Sequence, residues 1–340
     1  MLNLFNEINI LALLHMNIIF IRHSFACHNS LPKLFKNGTI DFKTVREFLP
    51  DSLERIASES PIKPLSDPEL TEIGVTSATN NGCVVKNILY DKFDIKSIDM
   101  VCCSPLLRCL ESAYHYSRKW SRPPLKIFVM PFLREIDEGS DDIYSQNSIN
   151  KIRTTPAYSM KSIREQKDYL QSVGILDFFD FAYVEEFPLG RVDPGNIQDF
   201  IDFFGESVFT HQTNVMTFTH AGVMKRFAGE GFTNNCGFVV KVKFDKDGGK
   251  VTGYTSLNDV VKNTPFFFDY SKYNTVSYMC PSTRCNNICD HILDQSTTLL
   301  RLPNVKCKDL ARTSSDIDTS DSSDPDSDME WDTDDDDVWP

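Results

Sequence analysis

The sequence contains no uninterrupted apolar run of the roughly 20 residues that a membrane-crossing helix requires, so no span is expected. No basic residue precedes the apolar-leaning stretch from Met1 to Phe20 and no small-residue cleavage site follows it, which argues against a signal peptide. Cysteine is too sparse for a disulfide scaffold, with 10 in 340 residues. Cys102, Cys103 and Cys109 lie inside apolar runs, where a thiol behaves as a small hydrophobe. Reduced thiols, and with them a cytoplasmic, reducing compartment, are the expectation. The group Cys280, Cys285, Cys289 and His291 has zinc-type ligands but lacks the paired short knuckles of common zinc modules, so no metal is assigned to it. Internal repeats are absent.

Net charge is nearly absent from most of the chain as well. The formal net charge is −13, yet twelve acidic residues and no Lys or Arg lie between Thr313 and Pro340, which leaves about −1 for everything before them. A near-neutral body gives no reason to expect a nucleic-acid partner. The 313–340 tail is rich in Asp and Ser and almost without large apolar side chains, so burial cannot offset the entropy of ordering it; it is expected to be disordered.

Four short apolar runs are present, and each ends abruptly in polar chemistry. Ile18-Ile19-Phe20-Ile21 leads into Arg22-His23, and Ile98-Asp99-Met100-Val101-Cys102-Cys103 leads into Ser104-Pro105 and Arg108. Leu125 to Met130 leads into Arg134-Glu135, and Asn214 to Thr219 leads into His220. Runs of this length, rich in β-branched and aromatic residues, read as buried strands of a largely parallel sheet. Helical patterns separate them. Thr71 is placed to cap a helix through Tyr90, with a weak interior at Asn80-Asn81-Gly82, and Pro105 suits the first turn of a helix through Trp120. Residues Ala221 to Gly229 read as a third helix.

This alternation predicts an α/β fold, a three-layer sandwich with a largely parallel central sheet. Residues 1–15 are expected to be an N-terminal extension and 16–262 the main domain. Within it, about 30–66 and 139–199 read as insertions forming a cap over the C-terminal strand ends. The packing of 263–312 is not legible. In such folds ligands sit beyond the carboxyl ends of the strands, where all four polar clusters fall.

The residue types gathered there suit attack on a phosphate monoester, which needs a nucleophile, cations for the equatorial oxygens and an acid for the leaving group. His23 offers the nucleophile. Arg22, Arg108 and His220 offer donors, the arginines through a planar fork matched to phosphate. Glu135 offers the acid, its proton retained beside a negative substrate.

The motifs carry a resemblance. Arg22-His23-Ser24 through Asn29 is similar to the R-H-G-x-x-x-x-N signature of the histidine phosphatase (phosphoglycerate mutase-like) superfamily. Asp67 to Gly74 resembles its D-x-P-L-T-x-x-G element with one residue shifted, and Ser104-Pro105-Leu106-Leu107-Arg108 its S-P-L-x-R element. Leu133-Arg134-Glu135-Ile136 and Thr219-His220-Ala221-Gly222 match two more, and Asn234-Asn235-Cys236 and Leu257-Asn258-Asp259 resemble its closing strand and terminal segment. The segment Glu135-Ile136-Asp137-Glu138-Gly139 looks like the phosphatase branch rather than the mutase branch.

The resemblance implies a phosphohistidine on His23. It implies phosphoryl binding by Arg22, Arg108, His220, Asn29 and Ser24, proton transfer by Glu135, and no metal or other cofactor. Ser24 stands where the family has glycine, so its side chain is expected either to crowd the phosphate or to donate a further hydrogen bond to it. A non-catalytic binding module of the same fold, and a phosphoglycerate mutase, are the alternatives. The expected partner is a small phosphorylated substrate or a phosphopeptide, with no nucleic acid and no membrane. The acidic tail leaves three uses open: solubility, docking on a basic partner, and competition with phosphate for the arginines.

Overall fold

A computed structural model describes residues 15–26, 29, 67–118, 120, 126–136, 162–186, 196–205, 213–245 and 248–262, all within the compact unit Met1–Leu310. Seven strands form one sheet: β1 (His15–Arg22), β2 (Met100–Cys103), β3 (Ile127–Val129), β4 (Phe179–Asp180), β5 (Asn214–Thr219), β6 (Gly237–Asp245) and β7 (Gly248–Ser256). Their spatial order is β4-β3-β2-β5-β1-β6-β7. The first five in that order run parallel; β6 pairs antiparallel with β1, and β7 with β6. The chain is thus an α/β fold with a mostly parallel sheet.

The helices are α1 (Glu72–Phe93), α2 (Leu107–Ser117), α3 (Ile163–Ser172), α4 (Ala182–Glu186), α5 (Ile197–Gly205), α6 (Ala221–Ala228) and α7 (Asn258–Lys262). They divide into two apolar layers. Ile19, Ile21, Val101, Cys103, Met216 and Phe218 face α1, α2 and α3. Ile18, Phe20, Met100, Cys102 and Val215 face α5 and α6, together with Phe232 and Phe238. The alternation along β1 follows from the two-residue period of a strand, and because both faces are covered, Ile18 through Ile21 are fully buried. No helix among the described residues is long and apolar enough to cross a membrane.

Within the 139–199 segment, residues 163–186 add α3, an edge strand β4 beside β3, and α4; α5 begins at its end and runs to Gly205. Leu170, Ile175, Phe179, Phe181 and Val184 join one apolar layer, and Ile197, Phe200, Ile201 and Phe204 the other. The reason is burial: these apolar side chains extend the two layers past β3. Two polar ties fix α3. Gln166 donates to Asp67 Oδ2 (2.7 Å) and to Pro105 O, and the Tyr169 hydroxyl donates to Glu111 Oε1 at 2.7 Å. Asp67 in turn accepts from Leu107 N (2.7 Å), capping the first turn of α2. One end of α3 therefore reaches the carboxyl end of β2. The groups Cys280, Cys285, Cys289 and His291, the 30–66 insertion and the acidic tail lie outside the described residues. Cys102, Cys103, Cys109 and Cys236 are free and buried.

Helix α1 continues unbroken through Asn80-Asn81-Gly82, where the sequence suggests weakness. Packing outweighs propensity there. A Cβ on Gly82 would stand 2.1 Å from Tyr116 O, so the missing side chain lets α1 and α2 approach backbone to backbone. In an exposed helix Gly→Ala stabilises by up to about 1 kcal/mol. Here Gly82→Ala is expected to destabilise by about 1–3 kcal/mol through overpacking, read as a lower urea midpoint at unchanged slope.

Candidate active site

Three adjacent strands deliver the central groups. Strands β1 and β5 pair in parallel up to Arg22 opposite Thr219, so His23 and His220 leave the sheet at one level. His23 N donates to Thr219 O (3.0 Å), and the two imidazole rings stand 5.3 Å apart, centroid to centroid. On the other flank of β5, Ser104 N donates to Phe218 O (2.9 Å), directly after β2. Arg108 follows in the first turn of α2. The fourth group arrives beyond β3, where a 3-10 turn (Pro131–Leu133) precedes Glu135. The Thr219 hydroxyl donates to Leu133 O (2.9 Å), tying that segment to the end of β5.

The side chains converge in an almost water-free place: exposure is 1% for His23, 1% for Arg108, 9% for Glu135 and 0% for His220. His23 Nδ1 lies 2.7 Å from Ser24 O. A carbonyl only accepts, so Nδ1 carries the proton and, in the neutral ring, Nε2 keeps its lone pair. Glu135 Oε2 stands 3.5 Å from His220 Nδ1 and 4.0 Å from Arg108 Nη2. A carboxylate so buried needs such partners. His220 Nε2 faces away from Glu135, 2.8 Å from Ser104 Oγ.

Ser24 departs from the expectation that it meets the phosphate. Its hydroxyl donates to Gly74 O (2.7 Å), lies 3.1 Å from Ser77 Oγ and accepts from Asn235 Nδ2 at 3.0 Å. Its amide donates to Ser112 Oγ (2.8 Å). The physical reason is the neighbourhood of α1. A Cβ on Gly74 would come within 2.1 Å of Phe25 O, so the bare Cα brings the helix start against the loop after β1 and offers its carbonyl to Ser24. Among the described non-glycine residues φ is positive at Asp67, Asp94 and Asn235, and not at Ser24, so position 24 needs no glycine on backbone grounds.

Arg22 sends Nη1 to Phe232 O (2.6 Å). Asn29 closes its own turn, its Oδ1 accepting from Ala26 N at 3.0 Å and its amide donating to Ala26 O at 2.8 Å. The loop is further joined to the Asp67–Gly74 element by an antiparallel bridge between Ala26 and Leu70. Thr71 caps α1 by accepting from Gly74 N (3.0 Å) and donates to Phe25 O (3.1 Å).

Sequence reasoning assigned no role to Ser104, Cys109, Ser112 or Asn234. Asn234 Nδ2 donates to His23 O (2.8 Å) and to Ser24 O (3.1 Å), holding the carbonyl that fixes the His23 ring. Cys109 Sγ lies 3.4 Å from His220 Nε2. Burial pushes its thiol well above the usual range, only partly opposed by the Arg108 guanidinium, so it stays protonated. For Ser104 and Asn234 a signal was available, since both belong to the motif segments. Ser112 and Cys109 have none beyond their places on α2. Among the described residues no group of three or more His, Cys, Asp or Glu could hold a metal ion.

No family model matches the sequence, and no curated protein matches it. Solved structures do. Phosphoserine phosphatase from Entamoeba histolytica, in complex with 3-phosphoglyceric acid, is 14% identical over 71% of this chain and 97% of its own, with a TM-score of 0.33. Alpha-ribazole phosphatase from Shigella flexneri is 17% identical over 72% and 96%, with a TM-score of 0.33. The putative phosphohistidine phosphatase from Agrobacterium tumefaciens is 11% identical over 71% and 98%, with a TM-score of 0.27. Likenesses at this level lend no role to any residue here. In its mostly parallel α/β fold and in the order of its strand-end motifs, the chain is similar to the histidine phosphatase superfamily.

Proposed function

We infer that the chain is a phosphomonoester hydrolase whose nucleophile is His23. The observation that carries this reading is the 2.7 Å contact of His23 Nδ1 with Ser24 O, which leaves Nε2 unprotonated on a buried ring facing His220, beside Arg108 and Glu135. Nε2 attacks phosphorus as the bond from phosphorus to the ester oxygen breaks, and Glu135 gives its proton to the departing oxygen. Glu135, now a carboxylate, takes a proton from water. That water attacks phosphorus, the P–N bond breaks, and inorganic phosphate and free His23 are restored. Arg22, Arg108 and His220 stabilise the equatorial oxygens from positions fixed beforehand, so no metal is required.

The sequence of events sets Glu135 a double task. Its carboxylate lies 3.5 Å from His220 Nδ1 and 4.0 Å from Arg108 Nη2, the two groups that are to receive the phosphoryl oxygens. An arriving dianion therefore meets a resident negative charge, which favours proton uptake by Glu135 and prepares the acid.

The purified protein is expected to hydrolyse a generic aryl phosphate and to form an acid-labile phosphoenzyme. His23→Ala is expected to lose both, and turnover surviving in that variant would overturn the assignment. Glu135→Gln is expected to lower kcat by about 10²–10⁴ for aliphatic esters, the usual contribution of a general acid. The same variant removes a like charge, so inorganic phosphate is expected to inhibit it more tightly than the wild type; equal or weaker inhibition would contradict the placing of Glu135.

A further inference from the structure

Two groups on His220 decide which of its nitrogens can donate. Nδ1 faces Glu135 Oε2 at 3.5 Å, with Cys109 Sγ more distant at 3.9 Å. Nε2 faces Ser104 Oγ at 2.8 Å, with Cys109 Sγ at 3.4 Å. Ser104 is completely buried, and its oxygen already accepts from Leu106 N at 3.4 Å. Its hydroxyl proton thus has two acceptors within reach, an imidazole nitrogen and a thiol sulfur, and sulfur is the weak one. The Cys109 proton is shared between Thr219 O at 3.6 Å and the same His220 Nε2. Two X–H groups lie beside Nε2, and a bare Nε2 is the stronger of the two acceptors within reach of the Ser104 proton.

We propose that Ser104 is a positioning residue: by donating to His220 Nε2 it holds the neutral ring in the Nδ1–H tautomer, so that His220 donates to the phosphoryl group without being charged. This goes beyond the hydrolase reading while resting on it. The tautomer of a histidine is set by the bond its other nitrogen makes. Glu135 favours the same tautomer only as a carboxylate. Once it carries the proton meant for the leaving group it can donate as well as accept, so it no longer selects one tautomer, and the Ser104 contact keeps the proton on Nδ1. Among the described residues the groups that meet His220 include Glu135 from the segment after β3, Cys109 from α2, His23 from the end of β1 and Ser104 from the end of β2, with Arg108 of α2 on the far side of Glu135.

The sign of the pH effect follows. Below the titration of His220 the imidazolium donates from both nitrogens, and Ser104 is dispensable. Above it, a ring released from Ser104 also populates the Nε2–H form, which offers a phosphate oxygen a lone pair. The test uses the Glu135→Gln background, where the competing carboxylate is absent. Nitrogen chemical shifts of His220 in the unligated full chain read the tautomer directly. Glu135→Gln is expected to show the proton on Nδ1. Adding Ser104→Ala is expected to move a large fraction to Nε2, and Ser104→Thr, which keeps the hydroxyl, to restore Nδ1.

Inorganic phosphate is expected to bind the Ser104→Ala double variant about tenfold more weakly above the ring's titration, the size of one charge-assisted hydrogen bond. Below it the two proteins are expected to bind alike. A proton on Nε2 in the Glu135→Gln protein overturns the proposal, as does a phosphate affinity that ignores Ser104→Ala at every pH. Should the alanine variant not fold, the tautomer of the Glu135→Gln protein decides alone. Absence of phosphate binding by every variant would instead sink the hydrolase reading, and is told apart because the tautomer is read without ligand.

Discussion

Parallel hydrogen bonding between β1 and β5, in register from Asn17 opposite Asn214 to Arg22 opposite Thr219, sets the geometry on which the candidate site depends. The two strands are far apart in sequence, and β5 enters the sheet between β1 and β2. Each strand ends one residue before a histidine. A slip of one residue would exchange Ile18 and Phe20 with Ile19 and Ile21 between the two apolar layers, so the buried faces themselves enforce the register. Hydrophobic packing thereby fixes, to within a fraction of a residue repeat, the spacing of two imidazole rings that it never touches. The carboxyl ends of β1, β5 and β2 thus lie side by side, and a crevice between such ends is where α/β folds hold ligands.

Around that crevice the polar groups are buried and cross-linked. Ser24 uses its amide, carbonyl and hydroxyl at once, reaching α1 through Gly74 and Ser77, α2 through Ser112, and the turn before β6 through Asn234 and Asn235. Interiors tolerate such groups only when they are bonded. Satisfied networks in low dielectric are stiff, which suits the nucleophile role proposed for His23, whose ring plane would have to be set before substrate arrives. The positive φ of Asn235, 62°, belongs to the same turn; it places the Asn235 amide on Ser24 while its neighbour Asn234 holds the His23 carbonyl.

Much of this was legible because the strands are short, apolar and end sharply. The four runs before His23, Ser104, Glu135 and His220 became β1, β2, β3 and β5, and the polar residue after each is what the site contains. Other elements were less legible for physical reasons. Strand β4 is two residues long and carries no periodicity. Helix α3 does announce itself through the Ser162–Glu165 capping box, and α5 through Ile197, Phe200, Ile201 and Phe204 at helical spacing. Both signals lie in a stretch whose polar start and Pro-Gly end favoured an insertion. The direction of the Ser24 hydroxyl could not be read at all, since its partners Gly74 and Asn235 are 50 and 211 residues away.

The side chain at position 24 also constrains the paths by which the sequence can change. A glycine there would satisfy the family pattern, yet it would remove the hydroxyl that Asn235 and Ser77 now meet inside the protein. Buried neighbours in one network couple by about 0.5–3 kcal/mol. Serine 24 is therefore entrenched: the family's residue becomes acceptable only after its partners change, and the order of substitutions matters more than their sum.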